Sequence, residues 1–162
     1  MIKRQLGLGT GGLIFMFMLT ALTSTIPGFA ETMEVKQEKS LYERLGGYDA
    51  ISAVIDVFLT KVWDDPVVGR FFVGMGTDTR NQLRQKNKNL MCANTGGPCK
   101  KINRPLDITH AGLGITDKEF DIVAGYIGET LKEFKVAKRE HDELMSKIEG
   151  LRTYVVEARI QK

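Results

Sequence analysis

The stretch YDAISAVIDVFLTKVW, residues 48–63, decides the fold class because its apolar side chains recur at the spacing of one helix face. Side chains three and four residues apart lie on the same side of an α-helix. The apolar side of this stretch is formed by Ile51, Val54, Ile55, Phe58, Leu59 and Val62. Because proline disfavours helical geometry in the preceding residue, Pro66 predicts that this helix ends near Asp64 and Asp65.

Helical patterns also lie on both sides of that stretch. Upstream, Ser40 and Glu43 form a capping-box pattern, which predicts a short helix over residues 40–47. Downstream, DTRNQLRQKNKNLMCAN, residues 78–94, has the spacing of another helix. One side of that helix is formed by Leu83, Asn87, Leu90 and Met91.

The C-terminal third of the chain continues the helical pattern. Thr116 and Glu119 form a second capping box, which predicts the start of a helix over residues 117–134. Apolar spacing predicts a last helix over roughly 137–160. Since no stretch of useful length alternates as a strand does, the sequence predicts an all-α domain of five to six helices.

Length and charge limit the possible organisation and partners. A chain of 162 residues is long enough for one domain with a hydrophobic core. It carries 23 Lys and Arg against 20 Asp and Glu, and two of the bases lie within residues 1–30. This near-balance argues against a nucleic-acid partner, which requires a clustered excess of positive charge.

Residues 1–30 have the pattern of a secretory signal peptide. MIKR is a positive start, LIFMFMLTAL is an apolar core, and PGFA places small residues before a cleavage site after Ala30. We therefore expect a signal peptide over 1–30, a polar leader over 31–39 and one domain over 40–162. This organisation predicts a periplasmic or secreted protein. The alternative is an uncut N-terminal segment that anchors the chain in a membrane.

Cys92 and Cys99 are separated by the turn-forming sequence ANTGGP. In an oxidising compartment, two cysteines at this spacing could close a disulfide. Two free thiols remain the alternative. Two cysteines without a nearby histidine are too few for a zinc site.

His110 lies in RPLDITHAGLGIT, residues 104–116, a segment too short to be a core helix. Its neighbours Leu106, Ile108 and Leu113 are apolar and are expected to be buried. The residues alone leave two interpretations of His110 open, a hydrogen-bonded histidine or a ligand. His141, in the charged sequence KREHDE, is expected to be solvated.

An ordered set of motifs from Leu41 to about Val156 resembles the group I truncated haemoglobins. The set consists of LYERLGGYDAISAVIDVF, DDPVVGRFF, GGP, the histidine of ITHAGLGIT and FDIVAGYI. The resemblance implies a two-over-two helical sandwich around haem b (iron protoporphyrin IX). It also implies that His110 is the proximal ligand of the iron.

The resemblance also implies which residues contact the haem. Phe72 matches a phenylalanine that packs on the haem face, Lys86 is a candidate partner of a propionate, and Asn87 stands where the family often has glutamine. The full set implied is Phe58, Leu59, Phe71, Phe72, Leu83, Lys86, Asn87, Leu90, Met91, Phe120 and Val123.

Three features depart from the family pattern. Leu59 stands where the family usually has a tyrosine that donates a hydrogen bond to dioxygen, and Lys101 stands where relatives often have a tyrosine near the propionates. The third departure is the signal peptide, since family members are mostly cytoplasmic.

These features favour reversible binding of oxygen, nitric oxide or carbon monoxide. The alternative is a haem enzyme, either a nitric-oxide dioxygenase or peroxidase-like, supplied by an unknown electron donor. Leu59 argues against the enzyme, which needs a polar donor on the gas side. A haem-free helical interaction domain would leave His110 without a role.

Overall fold

The computed structural model describes residues 38–101 and 104–157, and these residues form helices and connecting loops without strands. The predicted signal peptide and most of the polar leader lie outside the described residues. The elements, in chain order, are α1 Leu41–Arg44, α2 Gly47–Asp64, a 3-10 turn Gly69–Phe72, α3 Thr77–Asn94, α4 Leu106–His110, α5 Asp117–Glu133, α6 Lys138–Glu149 and α7 Arg152–Val155. Within the described ranges, no helix has the length and hydropathy needed to cross a membrane.

Both predicted capping boxes are confirmed. The Glu43 amide donates to Ser40 Oγ at 3.2 Å, and the Ser40 amide donates to Glu43 Oε2 at 2.8 Å. At the start of α5 the Glu119 amide donates to Thr116 Oγ1 at 3.4 Å, and the Thr116 amide donates to Glu119 Oε2 at 2.8 Å. Each box satisfies backbone donors that the first helical turn leaves unpaired.

The end of α2 is also confirmed, at Asp64. The carboxylate of Asp65 then accepts hydrogen bonds from the amides of Val67 and Val68, at 2.8 and 2.7 Å. The bond from Val68 is the main reason that the pKa of Asp65 lies below its ordinary value, and a bond from the Tyr126 hydroxyl adds to it. The charged Asp65 carboxylate therefore stabilises the segment that connects α2 to the 3-10 turn.

The hydrophobic core lies around α2, which packs against both α3 and α5. The buried face of α2 consists of Ile51, Ile55, Phe58, Leu59 and Val62. α5 contributes Ile127 and Leu131, and α6 contributes Leu144. The helical spacing of residues 48–63 predicted this face, apart from Val54, which is only partly buried.

The prediction of a single last helix is wrong. α6 ends at Glu149, and α7 begins at Arg152. Glycine is a poor helix former, and after Gly150 the chain tightens, with the Leu151 amide donating to the Ile148 carbonyl at 2.9 Å. The last residues of the predicted helix, 158–160, lie outside the described residues.

Two predictions of burial are also wrong. Ile108 is 58% exposed because Leu106 and His110 occupy the inner face of α4, which leaves Ile108 on the outer face. Leu113 is 43% exposed, although it lines the cavity described below.

His141 is half-buried rather than solvated. Its side chain is 20% exposed, and its Nδ1 lies 3.1 Å from Asp142 Oδ1. The other nitrogen, Nε2, lies 3.7 Å from where a Cβ at Gly128 would be. The imidazole therefore lies close to α5, at a distance that would leave room for a Cβ at position 128.

Cys92 and Cys99 form a disulfide, so the alternative of two free thiols is wrong. Cys92 is fully buried at the end of α3. The bond ties this end of α3 to the loop that leads toward α4.

Candidate functional site

A cavity of about 730 Å³ is lined by residues of α2, the 3-10 turn and α3 to α7. This volume is in the range of small-molecule and cofactor sites. The structure brings together every residue that the sequence implied for the site. The cavity is lined by Phe58, Leu59, Phe71, Phe72, Leu83, Lys86, Asn87, Leu90, Met91, His110, Phe120 and Val123.

Most of the lining is apolar, and two helices and the 3-10 turn supply its aromatic side chains. α2 contributes Phe58 and Leu59, which are both buried, and α5 contributes Phe120, which is also buried. Phe71 and Phe72 come from the 3-10 turn and are half-buried. Walls of this kind suit a large, flat, apolar ligand and exclude water from it.

His110 is the last residue of α4, and its imidazole has a defined tautomer. Its Nδ1 lies 2.7 Å from the carbonyl oxygen of Leu106, one turn earlier. Because a carbonyl oxygen only accepts hydrogen bonds, Nδ1 must carry the proton. The lone pair of the neutral ring is then on Nε2, which is the arrangement of a metal-binding histidine oriented by a backbone carbonyl.

The gas side of the cavity, as the resemblance assigns it, contains little hydrogen-bonding capacity. Leu59 is 3% exposed and has no polar atom. The Asn87 side chain donates from Nδ2 to the Leu83 carbonyl at 2.9 Å. One amide hydrogen of Asn87 is thus used within α3, and its second hydrogen and its oxygen remain for a ligand.

Three cationic side chains line the cavity and are exposed to solvent, namely Lys86, Arg104 and Lys147. Cations at the border of an apolar cavity suit a ligand with an apolar body and carboxylate groups. The sequence implied Lys86 but missed Arg104 and Lys147. Lys101 is exposed and is not part of the lining.

Glu119 is a buried carboxylate in the cavity wall. Arg70 donates to its Oε1 from Nη2 at 2.5 Å and from Nε at 3.2 Å. These bonds, followed by those from Thr116, lower the pKa of Glu119 from 4.5 to about 2. The Arg70 guanidinium also stacks on the Phe71 ring at 4.2 Å. Because Arg70 belongs to the 3-10 turn and Glu119 to α5, the bond between them holds the turn against α5.

Other lining residues were not predicted as site residues. Several of them lie on apolar helix faces, and periodicity predicts burial for such residues without distinguishing a cavity wall from a packed core. This group includes Ile55, Val62, Ile127, Leu144, Ile148, Leu151 and Val155. The remaining ones are Val68, Met75, Asn94, Leu106, Thr109, Leu113 and Ile115, of which Leu106 and Leu113 were expected to be buried.

Comparison with known sequences identifies the family. The sequence profile described as "Bacterial-like globin" matches residues 40–157. The chain belongs to the bacterial-like globin family. The predicted resemblance is thereby confirmed.

Two relatives are group 1 truncated hemoglobins. This globin is 31% identical over 112 residues to the group 1 truncated hemoglobin GlbN of Mycolicibacterium paratuberculosis, a match that covers 69% of this chain and 80% of the relative. It is 30% identical over 118 residues to the group 1 truncated hemoglobin of Tetrahymena pyriformis, covering 73% and 95%.

Solved structures show the same fold. The truncated hemoglobin of Tetrahymena pyriformis in its Fe(III) form superposes with a TM-score of 0.68 at 28% identity, covering 74% of this chain and all of the other. The 2/2 hemoglobin of Synechococcus sp., solved in the cyanomet state with covalently attached heme, gives 0.67 at 31% identity, covering 73% and 98%. The globin described here therefore has the two-over-two helical sandwich predicted from its sequence.

The residues of the cavity fit a haem. The apolar walls suit a porphyrin, the Nε2 lone pair of His110 suits iron, and the cations Lys86, Arg104 and Lys147 suit its two carboxylates. The contacts of individual residues with haem stay predictions.

Proposed function

We propose that this globin binds haem b in the cavity and takes up a diatomic gas at iron held by Nε2 of His110. Family membership supports haem-based gas binding in general. The observation that carries the proposal is the hydrogen bond between His110 Nδ1 and the Leu106 carbonyl, because it leaves Nε2 as the lone-pair donor in an apolar cavity.

The iron of a bound haem supplies the coordination position for the gas. The chain supplies the rest. His110 would provide the nitrogen that holds the iron, while Phe72 and Phe120 would keep water away from the haem. Lys86 and Arg104, which are exposed at the border of the cavity, would pair with the carboxylates of the haem.

Reversible gas binding is favoured over enzyme chemistry. Leu59 provides no hydrogen bond on the gas side, and one amide hydrogen of Asn87 is already used by Leu83. A hydrogen bond between neutral groups is worth about 0.5–1.5 kcal/mol, so a site with Leu59 in place of the family's tyrosine releases oxygen faster. Nitric-oxide dioxygenation requires retained oxygen, and this cavity is poorly equipped to retain it.

Absorption spectroscopy of three proteins tests haem binding and its ligand. Wild type reconstituted with haem should show a Soret band that shifts when carbon monoxide is added. His110→Ala should lose this band or change its position. His141→Ala is the matched control, because it removes the other histidine of the chain. A His110→Ala spectrum identical to wild type would refute the assignment.

Rapid mixing decides between gas binding and dioxygenase activity. The ferrous protein is equilibrated with oxygen and mixed with nitric oxide, and ferric haem and nitrate are measured. We expect no acceleration over the reaction without protein. Fast and stoichiometric nitrate formation would instead support the enzyme.

We also propose that the protein acts outside the cytoplasm, with residues 1–30 removed. The disulfide between Cys92 and Cys99 supports this location, because disulfides persist in oxidising compartments. Fractionation and intact mass spectrometry of the full chain test it. A mature protein that begins at Glu31 is expected, whereas a full-length chain in the membrane fraction would favour the anchored alternative.

A further inference from the structure

The loop that follows α4, residues 111–115, leads directly away from His110. Gly112 and Gly114 have left-handed backbone, with φ of +78° and +64°, a conformation that glycine adopts without strain. The Leu113 amide donates to the His110 carbonyl at 3.2 Å. Because the loop is both covalently joined and hydrogen-bonded to His110, a displacement of the loop displaces the end of α4.

Glu157, the last residue that the structure describes, contacts this loop directly. Its Oε2 accepts from the Gly114 amide at 2.7 Å, and its Oε1 accepts from the Gly112 amide at 3.3 Å. The Glu157 amide donates to the Ile115 carbonyl at 3.0 Å. Hydrogen bonds to an ionised carboxylate are stronger than neutral ones. We call these three contacts the Glu157 clasp.

Arg152 of α7 connects the segment that carries Glu157 to α5 and α6. The Arg152 guanidinium lies 3.0 Å from Asp117 and 2.6 Å from Asp121 on α5, and 2.5 Å from Glu149 on α6. It also stacks on the Phe120 ring at 4.3 Å. Since Phe120 lines the cavity, the clasp is fixed relative to the cavity wall.

We propose that Glu157 is a positioning residue for His110. The Leu106 carbonyl orients the imidazole from within α4, and the Glu157 clasp sets where the end of α4 lies relative to α5. The inference rests on the proposed function, because it takes His110 as the iron ligand. It means that His110 is positioned by a residue that lies 47 positions further along the chain.

Two variants and one control test the clasp. Glu157→Ala removes the carboxylate, and Glu157→Gln keeps its shape while removing its charge. Glu133→Gln is the control, because Glu133 is an exposed carboxylate that pairs with Lys61 at the far end of α5. All three changes are on exposed side chains, so folding should be retained, and circular dichroism checks this.

The first measurement uses the haem-free protein and reports on the surroundings of the His110 imidazole. NMR signals of the His110 imidazole should shift in Glu157→Ala, while those of His141 stay at their wild-type positions. Glu133→Gln should move neither set. Unchanged His110 signals in Glu157→Ala would overturn the proposal whether or not the protein binds haem.

The second measurement uses the haem-bound protein. In Glu157→Ala we expect a shifted or broadened iron–imidazole stretching band in the ferrous resonance Raman spectrum. Transfer of haem to excess apomyoglobin should be about tenfold faster, and about threefold faster in Glu157→Gln, as expected for the loss or weakening of charge-assisted hydrogen bonds. Wild-type values for both readouts would overturn the proposal. A wild-type protein that takes up no haem would refute the proposed function, and the NMR comparison would still decide the clasp.

Discussion

Leu59 is buried in the cavity wall and has no polar atom that could donate a hydrogen bond to a gas. Replacing it with tyrosine adds a hydroxyl group that can donate to a gas ligand. We expect Leu59→Tyr to release oxygen up to about tenfold more slowly, since a neutral hydrogen bond is worth about 0.5–1.5 kcal/mol. Stopped-flow displacement of oxygen by carbon monoxide measures the rate. Leu59→Phe is the control for ring size, and equal rates in the two variants would contradict the prediction.

Glu119 makes stability depend on pH in a defined direction. Its pKa is lowered from 4.5 to about 2 in the folded protein, mainly by Arg70. The folded state therefore gains stability above pH 4.5, and this gain is lost as pH falls from about 4.5 to about 2. We expect Glu119→Gln to be less stable than wild type at pH 7, with a difference that shrinks below pH 4. Urea unfolding at several pH values measures it, and Glu129→Gln, an exposed carboxylate on the same helix, should lack the effect.

Single residues differ in how far a sequence can predict them. The ligand role of His110 could be predicted only from the resemblance, since its spacing alone favours an ordinary hydrogen-bonded histidine. The bond between Arg70 and Glu119 spans 49 positions, and that between Gly114 and Glu157 spans 43. Local patterns predict partners three or four residues apart. Distant partners are decided by how the helices pack.

At the scale of elements, the starts of α1 and α5 were predictable because capping boxes are local signals. The break between α6 and α7 was not predictable from the sequence. The tightened turn after Gly150 keeps Leu144, Ile148, Leu151 and Val155 on the cavity side, so the apolar spacing continues across the break. Periodicity therefore predicted one helix where the backbone forms two.

The disulfide between α3 and the following loop should contribute measurably to stability. It closes a loop of eight residues, for which chain entropy gives about 2.5 kcal/mol. We expect a reducing agent to lower the free energy of unfolding of wild type by about this amount, as measured by urea unfolding. The double variant Cys92→Ala with Cys99→Ala should be equally destabilised and insensitive to reductant. Two free thiols in the unreduced, denatured wild type would contradict the prediction.

For the whole molecule, the cavity predicts that haem binding and folding are coupled. α4 packs against α7, α3 packs against α2, and both pairs present apolar side chains to the cavity. A haem in that space would complete the hydrophobic core of an 18.1 kDa chain. Free haem at a thousandfold excess over its dissociation constant should add about 4 kcal/mol to the free energy of unfolding.

This coupling predicts a melting temperature that rises with haem concentration. Calorimetry of the protein at increasing haem concentrations measures the rise, which should continue after the site is saturated because free haem still draws the equilibrium toward the folded state. His110→Ala should show a smaller rise, since the apolar walls still bind porphyrin while the bond from Nε2 to iron is lost. A melting temperature that stays constant across the titration would mean that the cavity does not take up haem as part of the folded core.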